Sequence, residues 1–138
     1  MEAIGTLDLP VLFPVHPRTQ HLLHTAGISL DRALRPIAPL GYLEMIALEK
    51  HARMILTDSG GVQKEAFYLG VPCVTLRDKT EWPETVELGA NRVAGRTPAS
   101  IQKTIQENYQ SDWGKSKPYG DGRAAQRIVT ELLAASCH

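Results

Sequence analysis

The residue types best suited to chemistry lie in one run, Thr57-Asp58-Ser59-Gly60-Gly61-Val62-Gln63-Lys64-Glu65-Ala66. The apolar stretch Met54-Ile55-Leu56 leads into it and breaks at Asp-Ser-Gly-Gly. Helical spacing then resumes with Val62, Ala66 and Leu69. This is a strand, a tight turn and a helix with small residues at its start. Such a turn offers backbone N–H groups and the positive end of the helix dipole, an arrangement that binds anions and most often phosphate. Ser59 adds a hydroxyl, and Gly60 and Gly61 allow close approach of the backbone. Glu65 falls about one and a half turns into the helix. A carboxylate there repels phosphate but accepts hydrogen bonds from sugar hydroxyls, as an acidic residue near a phosphate turn does for a ribose. Together these residues point to a nucleotide. They also make an ordinary helix N-cap with a solvated Glu, and the turn by itself leaves both readings open.

Other residues offer less. His16-Pro17-Arg18 places a titrating imidazole and a guanidinium at a strand end, suited to a sugar or phosphate, or to a rigid loop with a capping His. His21 and His24 stand three apart on a helix, near metal-ligand spacing, but no third ligand follows and a solvated face explains them. Met45, one turn after Gly41, is a core residue or the lining of a flat slot for a base. The loop Asp78-Lys79-Thr80-Glu81-Trp82-Pro83-Glu84 is dense in functional groups; its Thr80 and N–H groups suit phosphate, its carboxylates suit acid–base work or a helix cap. Trp82 in so polar a loop packs or lines a pocket.

The chain has 138 residues, enough for one domain with a real core. It carries 15 basic and 15 acidic side chains, so its neutral balance argues against nucleic acid and anionic membrane surfaces and suits a small anionic ligand. No apolar run is long enough to span a bilayer and no signal peptide opens the chain. The two cysteines, Cys73 and Cys137, form no disulfide framework and read as free thiols of a cytoplasmic protein.

The elements that must position these groups alternate in kind. A helix end over residues 2–9 runs into Leu9-Pro10. Strands are expected at Val11–Val15, Ala33–Ala38, the run before Asp58, Val71–Leu76 and Asn91–Gly95. Helices are expected from a Thr19 cap to Thr25, over Tyr42–His51 with Leu43, Ile46 and Ala47 facing the core, from the Gly60 turn to a stop at Gly70, at Glu84–Gly89, over Pro98–Gln110, and from Asp121 to Ala135. In the last, Ala125, Ile128, Val129, Leu132 and Leu133 share one side. This alternation predicts an α/β fold, a parallel sheet covered by helices on both faces, in a single domain over 1–138. Ligands of such sheets bind beyond the carboxyl ends of the strands, where His16, Pro39–Tyr42, Asp58–Gly61 and Arg77–Trp82 should gather.

In order along the chain, Phe13-Pro14-Val15-His16-Pro17-Arg18-Thr19, Pro39-Leu40-Gly41-Tyr42-Leu43, Thr57 to Ala66, Leu69-Gly70-Val71-Pro72-Cys73, Leu76 to Glu84 and Pro118-Tyr119-Gly120-Asp121-Gly122 resemble the C-terminal half of non-hydrolysing UDP-N-acetylglucosamine 2-epimerases. The resemblance implies a Rossmann-like domain, one half of a GT-B-type two-domain enzyme, that holds UDP. By it, Ser59, Gly60 and Gly61 meet the diphosphate, Glu65 holds the ribose hydroxyls and Met45 lines the uracil. His16, with Arg18 beside it, falls where some bacterial members contact a second, activating UDP-sugar. The reaction implied is UDP-GlcNAc to UDP-ManNAc by elimination and re-addition of UDP, with no metal and no cofactor. The acid–base carboxylates are expected on an N-terminal domain absent from these residues, and the chain alone is expected to be inactive. Full-length relatives are homodimers. One departure is Trp82, which stands where one branch of the family has an Arg that meets phosphate. A GT-B glycosyltransferase half and a non-catalytic nucleotide-sugar-binding module are the competing readings.

Overall fold

The computed structural model describes residues 4, 9–28, 30, 33–107, 113–114 and 116–135. The helix end expected over 2–9, the last residues of the helix expected to reach Gln110, and Cys137 fall wholly or mostly outside them. The elements are β1 (Val11–Pro14), α1 (Pro17–Thr25), β2 (Leu34–Ile37), α2 (Tyr42–Lys50), β3 (Ile55–Thr57), α3 (Gly60–Leu69), β4 (Cys73–Thr75), α4 (Pro83–Glu87), β5 (Asn91–Val93), α5 (Pro98–Gln106) and α6 (Ala124–Ala135). Every strand pair among the described residues is parallel. β1 pairs with β2 in one ladder, and β3, β4 and β5 pair in that order in another. The fold is α/β, as the alternation of elements predicts, and Rossmann-like, as the family resemblance implies.

Short buried strands explain the registry. Cys73, Val74 and Thr75 of β4 are all shut off from solvent, as befits a central strand flanked on both sides. Ile55, Ala66, Val71 and Cys73 pack together with Ala52, Val62 and Leu69, fastening α3 onto β3 and β4. Burial pushes the Cys73 thiol up to about 12, so it behaves as a small apolar core residue. A second cluster joins Phe67, Ala90 and Trp113, with Leu88 and Tyr119 against it. Trp113 completes it by donating its indole N–H to the Phe67 carbonyl at 3.2 Å. Gly70 ends α3 with φ 74°, the left-handed conformation that the sequence expects of a stop glycine.

Three local expectations are corrected. α1 starts at Pro17, not after a Thr19 cap: His16 is the N-cap and Pro17 the first helical residue, where a missing N–H costs nothing. On α2, Leu43 is 80% exposed and Ala47 is exposed too, while Glu49 is only 2% exposed. The helix has apolar residues around its whole circumference, so spacing could not choose its inner face. α6 begins at Ala124 and not at Asp121, and the side formed by Ile128, Val129, Leu132 and Leu133 is open to solvent. No helix among the described residues is long and apolar enough to cross a membrane.

Candidate functional site

The turn after β3 leads straight into the N-terminus of α3. Ser59 is the N-cap of α3, and its Oγ lies 3.5 Å from the Val62 N–H, a long contact that leaves the hydroxyl available. Thr57 Oγ1 accepts the Ser59 N–H at 3.0 Å and fixes the entry to the turn. The N–H groups of Gly60 and Gly61 meet no acceptor among the described residues, as expected of a first helical turn. The helix dipole adds to their pull on a negative charge.

The loop after β4 lies against this turn. The Trp82 indole N–H donates to the Gly60 carbonyl at 2.9 Å. A Cβ on residue 60 would stand 3.4 Å from Glu81 Oε2 and 3.5 Å from Trp82 Nε1, in van der Waals contact with the loop, so glycine leaves the most room at this turn. The Glu81 carboxyl is held below its usual range, first by its own backbone N–H and then by Arg77, which pairs with it at 2.6 Å. Arg96 forms an ion pair with Asp78 on the same edge, and its Nε donates to Asp78 Oδ2 at 2.9 Å. A cavity of about 540 Å³ opens here, lined by Asp58, Arg77, Asp78, Lys79, Thr80 and Arg96 among others. Both guanidiniums that face it are matched by carboxylates.

The loop is anchored from beneath by a buried polar network that the sequence did not reveal. Gln63 of α3 is fully buried, and its Oε1 accepts from Thr80 Oγ1 at 2.5 Å and from Asn91 Nδ2 at 3.2 Å. Asn91 also accepts from Thr75 Oγ1 at 2.9 Å and donates to Thr85 Oγ1 at 3.2 Å. Thr80 Oγ1 in turn accepts the Trp82 N–H at 3.0 Å. Lys64 of α3 holds its ammonium 4.2 Å from the Trp82 ring centroid and 4.4 Å from that of Tyr119.

Of the residues singled out from sequence, Ser59, Gly60 and Gly61 come together in one turn. Glu65 sits farther along the same helix, half-buried, and Met45 sits half-buried on α2, which packs on α3. His16 and Arg18 are exposed at the end of β1, where His16 Nδ1 accepts the Arg18 N–H at 3.3 Å. No hydrogen bond or ion pair among the described residues ties either of them to the α3 turn. His21 and His24 are exposed on α1. Glu49 was not singled out. It is buried on α2 near Glu65, and desolvation first, then the Glu65 charge, raises its carboxyl to about 7.

The sequence profile described as UDP-N-acetylglucosamine 2-epimerase matches residues 1–133. The chain belongs to this family. It is 43% identical over 137 residues to the UDP-N-acetylglucosamine 2-epimerase of Methanocaldococcus jannaschii, covering 95% of this chain and 37% of that enzyme. It is also 43% identical over 143 residues to the UDP-2,3-diacetamido-2,3-dideoxy-D-glucuronate 2-epimerase of Pseudomonas aeruginosa, covering 96% of this chain and 38% of that enzyme. Among solved structures, the M. jannaschii epimerase in complex with UDP-GlcNAc and UDP superposes with a TM-score of 0.80 over 96% of this chain and 38% of its own. An S. aureus MnaA–UDP structure, 33% identical, gives 0.75 over 95% of this chain and 39% of its own. The chain therefore spans a little over a third of the length of these epimerases.

Proposed function

We propose that this chain is the UDP-sugar-binding half of a 2-epimerase that interconverts UDP-GlcNAc and UDP-ManNAc by eliminating and re-adding UDP. The observation that carries the reading is the pair of N–H groups of Gly60 and Gly61, without an acceptor among the described residues, behind the Ser59 cap at the carboxyl edge of a parallel sheet. Ser59, Gly60 and Gly61 bind the diphosphate. Glu65 accepts the ribose hydroxyls, and Met45 lines the uracil. His16 and Arg18 contact the sugar or a second UDP-sugar. The acid–base carboxylates lie outside these residues, so the chain alone binds and does not turn over. It acts in the cytoplasm, without a metal or cofactor, as part of a homodimeric enzyme.

A diacetamido uronate is the second reading of the substrate, because the Pseudomonas relative that acts on one is as similar as the Methanocaldococcus enzyme.

Calorimetric titration with UDP tests the site, with Ser59→Ala and Glu65→Ala beside the parent chain. Saturable binding weakened by both changes is expected. A folded chain that binds no UDP would overturn the assignment.

A further inference from the structure

Trp82 bears on the phosphate turn without being suited to touch phosphate. Its indole has one polar hydrogen and no charge. That single donor is engaged by the Gly60 carbonyl at 2.9 Å.

The identity of the acceptor matters. The Gly60 carbonyl and the Gly61 N–H belong to one peptide unit, which is planar. Holding the oxygen therefore aims the hydrogen on the opposite side. This peptide lies between two glycines and has the greatest backbone freedom that a sequence can give it. Gly60 opens α3, so the helix already orients this carbonyl, and the indole adds a second donor that restrains the peptide at the place where a ligand needs the amide fixed.

Trp82 is itself held on every side. Its N–H is accepted by Thr80 Oγ1 at 3.0 Å, and its carbonyl accepts from Thr85 Oγ1 at 2.7 Å. Both threonines hydrogen-bond into the buried pair Gln63 and Asn91. Its ring stands edge-on to Tyr119, centroids 5.8 Å apart and planes at 88°, with the Lys64 ammonium over it. Gln63 and Lys64 belong to α3, so the helix that carries the turn also supports the residue that fixes it.

We propose that Trp82 is the positioning residue of the diphosphate turn, setting the Gly60–Gly61 peptide so that the Gly61 N–H points at the ligand. The inference rests on the UDP reading above. Trp82 makes no phosphate contact, and its effect is confined to ligands that carry a diphosphate.

The test is Trp82→Phe, which keeps a ring for Lys64 and Tyr119 and deletes the N–H. The parent chain and the variant are titrated with UDP and with uridine. UDP affinity is expected to fall about fivefold, the usual worth of one hydrogen bond, while uridine affinity stays unchanged. Equal losses for both ligands would mean general loosening and overturn the proposal, as would no loss for UDP. A parent chain that binds no UDP would overturn the functional reading along with it, so the two failures are distinct. Should the variant not fold, the indole proton of Trp82 in the parent chain gives a second measurement by NMR. Slow exchange with solvent, the same with and without UDP, is expected. Fast exchange in the free chain, or a switch of the proton to the ligand, would overturn the proposal.

Discussion

The buried carboxyl of Glu49 on α2 lies within electrostatic reach of Glu65 on α3, and neither of its oxygens has a hydrogen-bond partner among the described residues. A carboxylate in that state is costly, so the group holds its proton up to about pH 7 against an ordinary value of 4.5. The Cys73 thiol also feels it and is neutral across this range. The folded chain thus binds the extra proton between about pH 4.5 and about pH 7. Stability falls as pH rises through that window and is flat above it.

Glu49→Gln fixes the neutral form. Little change in stability is expected near pH 5, and near pH 8 a gain on the order of 2 kcal/mol, discounted for the shallow protein cover around the group. Urea denaturation at the two pH values measures it. Parallel pH slopes for the parent and the variant would show that Glu49 ionises normally.

Gly70→Ala tests the end of α3. The site has φ 74° and nothing within 4 Å of an added Cβ, so the cost is backbone strain without a clash. A loss of about 1 kcal/mol is expected in chemical denaturation, with UDP affinity unchanged. A larger loss, or one that reaches the ligand, would place Gly70 in the site's support.

The turn and its helix were readable because three signals agree there: an apolar run, small polar residues at a cap, and a glycine stop at Gly70. α2 was not, because Tyr42, Leu43, Met45, Ile46, Ala47 and Leu48 leave no polar stripe, and the buried face turned out to hold Glu49. The start of α1 was missed by three residues, cap His16 against an expected Thr19, although Pro17 carried the signal. The support of the site was illegible for a different reason. Gln63 and Asn91 stand 28 positions apart, and nothing in either neighbourhood says that one amide will satisfy the other. Long-range polar pairing leaves no periodicity. Trp82 was expected to pack or line a pocket; that its N–H reaches back 22 residues to Gly60 belongs to the same class of invisible contact.

Asn91→Leu probes that network. The substitution is close in volume but deletes the acceptor of Thr75 Oγ1 and a donor to Gln63 Oε1, all of them buried. Gln63 keeps Thr80, and Thr85 keeps the Trp82 carbonyl, so the loop stays attached. The Thr75 hydroxyl is stranded. A loss of about 3 kcal/mol is expected, read as a lower urea midpoint with an unchanged slope. A near-neutral result would mean that the network orders the loop without stabilising the fold.

Glu65 gives the sharpest test of the proposed nucleotide contacts. If its carboxylate accepts the ribose hydroxyls, it makes charge-assisted hydrogen bonds, which are the stronger kind. Removing the charge with Glu65→Gln should weaken UDP about tenfold. The same change should narrow the preference for UDP over 2′-deoxy-UDP, because the deoxy ligand never made one of those bonds. It should also relieve the pressure on Glu49, whose carboxyl is raised partly by the Glu65 charge and should then titrate lower. The two readouts separate the roles. A shifted Glu49 with an undiminished ribose preference would leave Glu65 as a neighbour of the buried acid and not as the group that reads the sugar.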